Sequence, residues 1–222
     1  MTLAPDIIEL TARARADLRM GAPVVIGSSL ILAAETLNET RLRALQITGT
    51  PLVLAITDWR ARTLKARAYD TDIARVVVPE DAPVDWITAI ADPADDLNAP
   101  MKGPLQTLRD DGATDARLAI QLTKDARLLP AAVVARLDAP REYAASHSLT
   151  MLDADALEKT YSAPSPLHPL VSARLPLEVN EAGRLHVFRP EDGGEEHYAI
   201  EIGQPSRTEP LLTRLHSACF TG

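Results

Sequence analysis

Hydrophobic residues recur at helical spacing from the start of the chain: Ile7, Leu10, Ala14 and Leu18 share one face between Asp6 and Gly21. Asp6 with Glu9 is a capping-box pattern and Gly21 a helix stop, so the spacing predicts a first helix there. Then the period changes. PVVIG (23–27), PLVLAIT (51–57) and ARVVVP (74–79) are continuous apolar runs, the pattern of strands buried on both faces. After the first strand comes LILAAETLNETRLRALQ, in which Asn38 is placed to cap a helix presenting Leu42 and Leu45 and stopping at Gly49. Short helices are expected between the other strands, one of them capped by Asp58. Residues 92–104 have the Pro, Asp and Gly content of an exposed loop. Beyond it the pattern predicts a helix capped by Thr114 with Leu118, Leu122 and Ala126 stacked four apart. A strand over 131–137, a helix in REYAASHS, a strand in LTML and a helix in ADALEKT follow. Alternating strands and helices imply a sheet covered by helices.

Near residue 161 the pattern changes again. YSAPSPLHP carries three of the 17 prolines and reads as a linker over 161–170. Four strand-like runs come after it: ARLPLEV, RLHVFRP, EHYAIEI and LLTRLHS. In the third, Tyr198, Ile200 and Ile202 alternate with His197, Ala199 and Glu201, the mark of a half-buried antiparallel strand. The second and third read as a hairpin turned at Asp192-Gly193-Gly194. The expected fold class is therefore α+β, with one unit over 1–160 and a second over 171–222. The second has strands and no helix to close its core, so the chain is expected to be cut within it.

Composition narrows the function classes. With 46% hydrophobic and 24% charged residues the chain can bury a core. Its net charge of −8 argues against a polymeric nucleic acid partner, which needs a basic face, while leaving room for a local pocket for one nucleotide. No run approaches the ~20 apolar residues that span a bilayer, and the N-terminus lacks the pattern of a secretory signal. A single cysteine, Cys219, rules out an intrachain disulfide framework and points to a reducing cytoplasm. A lone cysteine is most often a small buried hydrophobe, and an Arg-x-His on a strand most often a solvated face. The whole of RLHSACFTG (214–222) changes those odds.

This second unit resembles the opening of GTP cyclohydrolase II, the zinc enzyme that starts riboflavin synthesis. EEHYAI (195–200) matches the end of the family's first hairpin, and Gly203-Gln204-Pro205 its Gly-x-Pro connection. RLHSACFTG fits the motif Arg-x-His-Ser-x-Cys-x-Thr-Gly at every fixed position. In the family that motif continues into two further cysteines spaced Cys-x-Cys. The resemblance implies that Cys219 is the first of three zinc thiolates, with a fourth position kept for water. By the same resemblance that water would attack the purine ring carbon that leaves as formate. It also implies that Arg214, Leu215, His216, Ser217 and Ala218 line the GTP site, where Arg214 and His216 suit a triphosphate. Ala218 stands where many relatives have glutamate, which leaves a backbone contact there. The family's acid–base residues and nucleophilic arginine fall beyond Gly222, so no catalytic residue lies within these 222 residues.

The first unit resembles 3,4-dihydroxy-2-butanone 4-phosphate synthase, often fused ahead of GTP cyclohydrolase II. ADLRMGAPVVI, LILAAETLN, DGATDARLAIQLTKDARLLPAAVVARL and YAASHSLTMLDADAL match its segments in order. The departures imply loss of function. The family's acidic, magnesium-holding loop between the first strand and Ala-Ala-Glu is here only Gly27-Ser28-Ser29. The histidine of its Gly-His-Thr-Glu falls on Ala113 and the glutamate on Asp115, and Glu35 alone cannot hold magnesium. The expectation is a degenerate synthase domain ahead of an incomplete GTP cyclohydrolase II domain, itself inactive at this length, in a cytoplasmic homodimer. A non-catalytic dimerisation or regulatory module is the alternative, and an active magnesium-dependent synthase the second.

Overall fold

The Asp6 carboxylate accepts the backbone N–H of Glu9, and the Glu9 carboxylate accepts that of Asp6, both at 2.9 Å, closing the expected capping box on α1 (Ile7–Arg19). Gly21 follows in the left-handed region at φ 71°, where glycine ends a helix without steric cost. The computed structural model describes residues 3–94, 96–98, 100, 102–110, 112–178, 180–206 and 208–216, in two units that divide between Ala163 and Pro164.

In the first unit β1 (Val24–Ile26) and β2 (Ser29–Ala33) form a hairpin. β2 occupies a stretch to which the pattern assigned no element, because a short apolar run leading into a helix carries no period of its own. Asn38 caps α2 (Glu39–Ile47) by accepting the Arg41 N–H at 3.0 Å, and Leu42 and Leu45 are buried as expected. β3 (Leu52–Thr57) leads into α3 (Asp58–Thr63), whose cap is Thr57 and not Asp58. The Thr57 hydroxyl accepts the Arg60 N–H, while Asp58 lies inside the first turn and pairs with Arg62 at 2.7 Å. β4 (Ile73–Val77) and α4 (Val84–Ala91) precede the long loop. α5 (Thr114–Asp125) starts one residue earlier than expected: its cap is Ala113, which offers no side-chain oxygen. β5 (Ala131–Arg136), α6 (Pro140–Ser146), β6 (Met151–Leu152) and α7 (Ala154–Ser162), capped by Asp153, complete the unit.

Six strands form one mixed sheet in the order β4-β3-β5-β2-β1-β6, with only the β1–β6 pair parallel. Side chains alternate between its faces. Leu30 and Leu32 of β2, with Leu54 and Val133, pack under Leu42, Leu45, Ile87 and Ile90 of α2 and α4. Ile26, Ile31 and Ala132 pack under Leu18, Leu122 and Leu157 of α1, α5 and α7. Helices cover both faces, which explains why the central strands read as unbroken apolar runs.

The second unit holds β7 (Leu167–Arg174), β8 (Arg184–Pro190) and β9 (His197–Glu201) in one antiparallel sheet of that order. The 161–170 linker expectation is shortened: α7 reaches Ser162 and β7 already begins at Leu167. β8 and β9 form the expected hairpin, with Phe188 opposite His197 and Arg184 opposite Glu201. The last expected strand, LLTRLHS, is not formed among the described residues: 211–216 run without a ladder partner. The fold class is α+β, a mixed sheet covered by helices and then a separate antiparallel sheet.

Candidate functional site

The cross-strand register gives the second sheet two unlike faces. Val171, Val187 and Tyr198 lie opposite one another, as do Ala173, Leu185 and Ile200, so one face is apolar. It is not half-buried as the alternation suggested; Tyr198 stays 50% and Ile200 40% exposed. The other face carries Ser172, His186 and Ala199, and beside them Arg174, Arg184 and Glu201. On it His186 Nε2 meets Glu201 Oε2 at 2.8 Å, and the imidazole lies 6.4 Å from the Phe188 ring.

Past this sheet the chain carries the residues assigned to nucleotide binding. Arg214, Leu215 and His216 are exposed in irregular backbone, Leu215 completely so, and no ion pair joins Arg214 or His216 to another described residue. The common strand face expected for Arg214 and His216 is therefore absent. Ser217, Ala218 and Cys219 lie outside the described residues. Among the described residues no group of three or more His, Cys, Asp or Glu could hold a metal. These side chains by themselves do not fit a zinc site, and no step through the metal follows from them.

In the first unit, the positions where the synthase resemblance predicts metal and acid–base chemistry have been given other work. Gly27 and Ser28 are the two turn residues of the β1–β2 hairpin, with Ile26 opposite Ser29. Asp115, in the first turn of α5, reaches this turn: its Oδ2 accepts from Ser29 Oγ at 2.7 Å and from Ser28 N and Ser28 Oγ at 3.2 Å. Ala113 is buried in a small cluster with Ala55, Ile73 and Ile120. Glu35 is spent on a backbone contact, accepting the Leu129 N–H at 2.6 Å.

Two of the buried arginines, Arg60 and Arg75, hold charged clusters that no local pattern in the sequence predicts. Arg75, in the middle of β4, donates to Asp70 at 2.8 Å and to Asp110 at 2.5 Å. Burial works against its charge, but Asp70 and Asp110 outweigh it and hold the guanidinium above its ordinary value. Arg75 in turn holds the Asp110 carboxyl below the usual carboxylate range. Arg60 of α3 donates to the carbonyls of Ile90, Ala89 and Asp92 and pairs with Asp96, which Lys102 also contacts. The two arginines pin both ends of the loop between α4 and α5. The available signal was a charged residue inside a run of apolar strand positions, as in IARVV.

The sequence model of the GTP cyclohydrolase II family matches residues 168–222. Those residues are similar to the GTP cyclohydrolase II family. The chain is 36% identical over 219 residues to GTP cyclohydrolase-2 of Azospirillum brasilense, covering 96% of this chain and 55% of that protein. It is 30% identical over 122 residues to riboflavin biosynthesis protein RibBA of Aquifex aeolicus, covering 50% of this chain and 29% of that protein. The chain thus spans about half the length of the first relative and less of the second. A solved 3,4-dihydroxy-2-butanone 4-phosphate synthase of Candida albicans superposes with a TM-score of 0.51 at 14% identity, covering 68% of this chain and 97% of that one. That likeness shows the fold: a synthase-like domain stands ahead of the GTP cyclohydrolase II residues.

Proposed function

We propose that the intact protein is a GTP cyclohydrolase II, hydrolysing GTP to a diaminopyrimidine ribosyl phosphate, formate and pyrophosphate in the cytoplasm. The observation that carries this is RLHSACFTG, inside the 168–222 family match. In this reading Arg214 to Ala218 bind the nucleotide, with Arg214 and His216 supplying donors to phosphate, and Cys219 is one zinc ligand. When bound, zinc supplies a Lewis acid and an acidified water. One thiolate is fewer than the three protein ligands of a catalytic zinc, so the 222-residue polypeptide alone does not turn over GTP.

Residues 1–160, in the same reading, are a degenerate synthase-like domain that serves dimerisation or regulation of a homodimer. The support is the fate of the positions just described: Asp115 and Glu35 bond to the protein itself, and alanine stands at 113. Residues after the linker are the opening part of the GTP cyclohydrolase II domain.

Formate release from GTP tests the first claim. The chain joined to the remaining part of a GTP cyclohydrolase II domain should release it, and the Cys219→Ser variant of that protein should not. A full-length protein with zinc bound and no formate release would overturn the assignment. Ribulose 5-phosphate with magnesium tests the second: no butanone phosphate should form above a no-enzyme blank, and its formation would restore the synthase reading.

A further inference from the structure

We infer that the β1–β2 turn is a carboxylate nest whose resident ligand is the chain's own Asp115. Three donors converge on one oxygen. Ser28 offers its backbone N–H and its hydroxyl, Ser29 its hydroxyl, all within 3.2 Å of Asp115 Oδ2. The donors come from one end of the chain and the acceptor from α5, 86 and 87 residues away.

The turn is also held by contacts that do not involve the carboxylate. The Gly27 N–H donates to Leu152 at 3.0 Å, the Leu137 N–H donates to the Ser28 carbonyl at 2.8 Å, and Ser29 pairs with Arg136 in the sheet. β6, β5 and the β2 ladder thus fix the turn on three sides. Gly27 has φ 56°, the left-handed region required at the first position of such a hairpin. A Cβ there would stand 2.8 Å from Asp115 Oδ1 and 3.1 Å from Ala154, so glycine is demanded twice, by the turn and by the close approach of the carboxylate. Ser29 is buried, so its hydroxyl needs the acceptor. Asp115 also sits in the first turn of a 12-residue helix, where a negative charge is favoured.

The nest takes a small carboxylate and is already full. It therefore closes this corner of the first unit to an external anion and locks α5 to the sheet. This deepens the non-catalytic reading of that unit, but its test measures occupancy of the nest and not lyase activity.

Asp115→Gly removes the plug and leaves room for formate. Its melting temperature should fall by roughly 5 °C, and Asp115→Ala should fall similarly. At ~0.2 M, sodium formate should raise the melting temperature of Asp115→Gly by about 2–3 °C more than sodium chloride does, through binding to the folded state. The parent and the Ser29→Ala, Asp115→Gly double variant should show no such difference. An unchanged melting temperature in Asp115→Ala would overturn the inference, as would an equal formate effect on parent and variant. If both Asp115 variants fail to fold, Ser29→Ala decides: amide exchange at Ser28 should quicken at least about tenfold, and unchanged exchange overturns the nest.

Discussion

Glu35 Oε2 accepts the backbone N–H of Leu129 at 2.6 Å, joining the segment after β2 to the turn that precedes β5, 94 residues later. Beside it the Ala34 N–H donates to the Ala131 carbonyl at 3.0 Å, so the contact extends the β2–β5 ladder by a side chain. Glu35→Ala should lower stability by about 1 kcal/mol, the net worth of one hydrogen bond with a charged acceptor in partial contact with solvent. Glu35→Gln should keep most of it, because the amide oxygen still accepts. Urea denaturation of the two variants checks this. Equal losses would mean that the charge, and not the acceptor, is what Leu129 requires.

Arg60 makes the α4–α5 loop sensitive to acid. Hydrogen bonds from Arg60 and then Lys102 hold the Asp96 carboxyl well below the usual carboxylate range. A carboxylate whose folded value is depressed stabilises the protein above its unfolded value of ~3.9 and loses that contribution as the pH falls toward the folded value. The stability difference between the parent and Asp96→Asn should therefore be full near pH 7 and shrink steadily below about pH 4. A difference independent of pH would show that the charge on Asp96 is not what secures the loop. Arg60→Leu should cost more, about 3 kcal/mol, since it also strands the carbonyls of Ala89, Ile90 and Asp92.

Period and capping chemistry made most of the first unit legible. The capping box at Asp6, the Asn38 cap and the buried runs over β1, β3 and β4 are local signals, and the structure realises them. The misplaced caps are cases where two neighbouring residues could do the same work. Thr57 and Asp58 both can cap, and the extended Thr57 does; Thr114 can cap, and the helix begins on it instead. The motif RLHSACFTG is legible in the chain itself, whereas the synthase-like site of the first unit is legible only as absences. That Gly27-Ser28-Ser29 replaces a loop is visible in the chain, but that Asp115 fills the turn depends on a contact 86 residues away. The arginine clusters are likewise long-range: nothing local ties Arg75 to Asp110, 35 residues on. In the second unit the alternation was read correctly and its burial was not, because alternation says which residues share a face and not what lies upon it.

The 222-residue polypeptide should not retain zinc. Cys219 is its only thiol, and among the described residues no cluster of His, Asp, Glu and Cys could supply further ligands. Metal analysis after dialysis against a mild chelator should give far less than one zinc per chain. Stoichiometric zinc in a demonstrated monomer would contradict this. Zinc at one per two chains would instead place Cys219 of two copies on a shared ion.

Unequal stability of the two units follows from what covers their strands. β3 lies between β4 and β5, and Leu54, Ala55 and Ile56 are fully buried. Among the described residues β9 pairs with β8 on one side only, and Tyr198 and Ile200 on its apolar face remain exposed. A three-stranded sheet with an uncovered face is marginal by itself, whereas a six-stranded sheet with helices on both faces has a core of its own. The amides of Val53 to Ile56 should therefore exchange through global unfolding, and those of Ala199 to Ile202 through local opening, at least about a hundredfold faster. Hydrogen exchange followed by mass spectrometry or NMR reads both segments in one sample. Equal protection in a monomer would mean that something covers the second sheet and that the units unfold as one. Equal protection that appears only as the concentration is raised would mean that two copies share the sheet. Joining the remaining part of a GTP cyclohydrolase II domain to this chain should slow exchange at Ala199 to Ile202 and leave Val53 to Ile56 unchanged, because the first unit's core already closes without it.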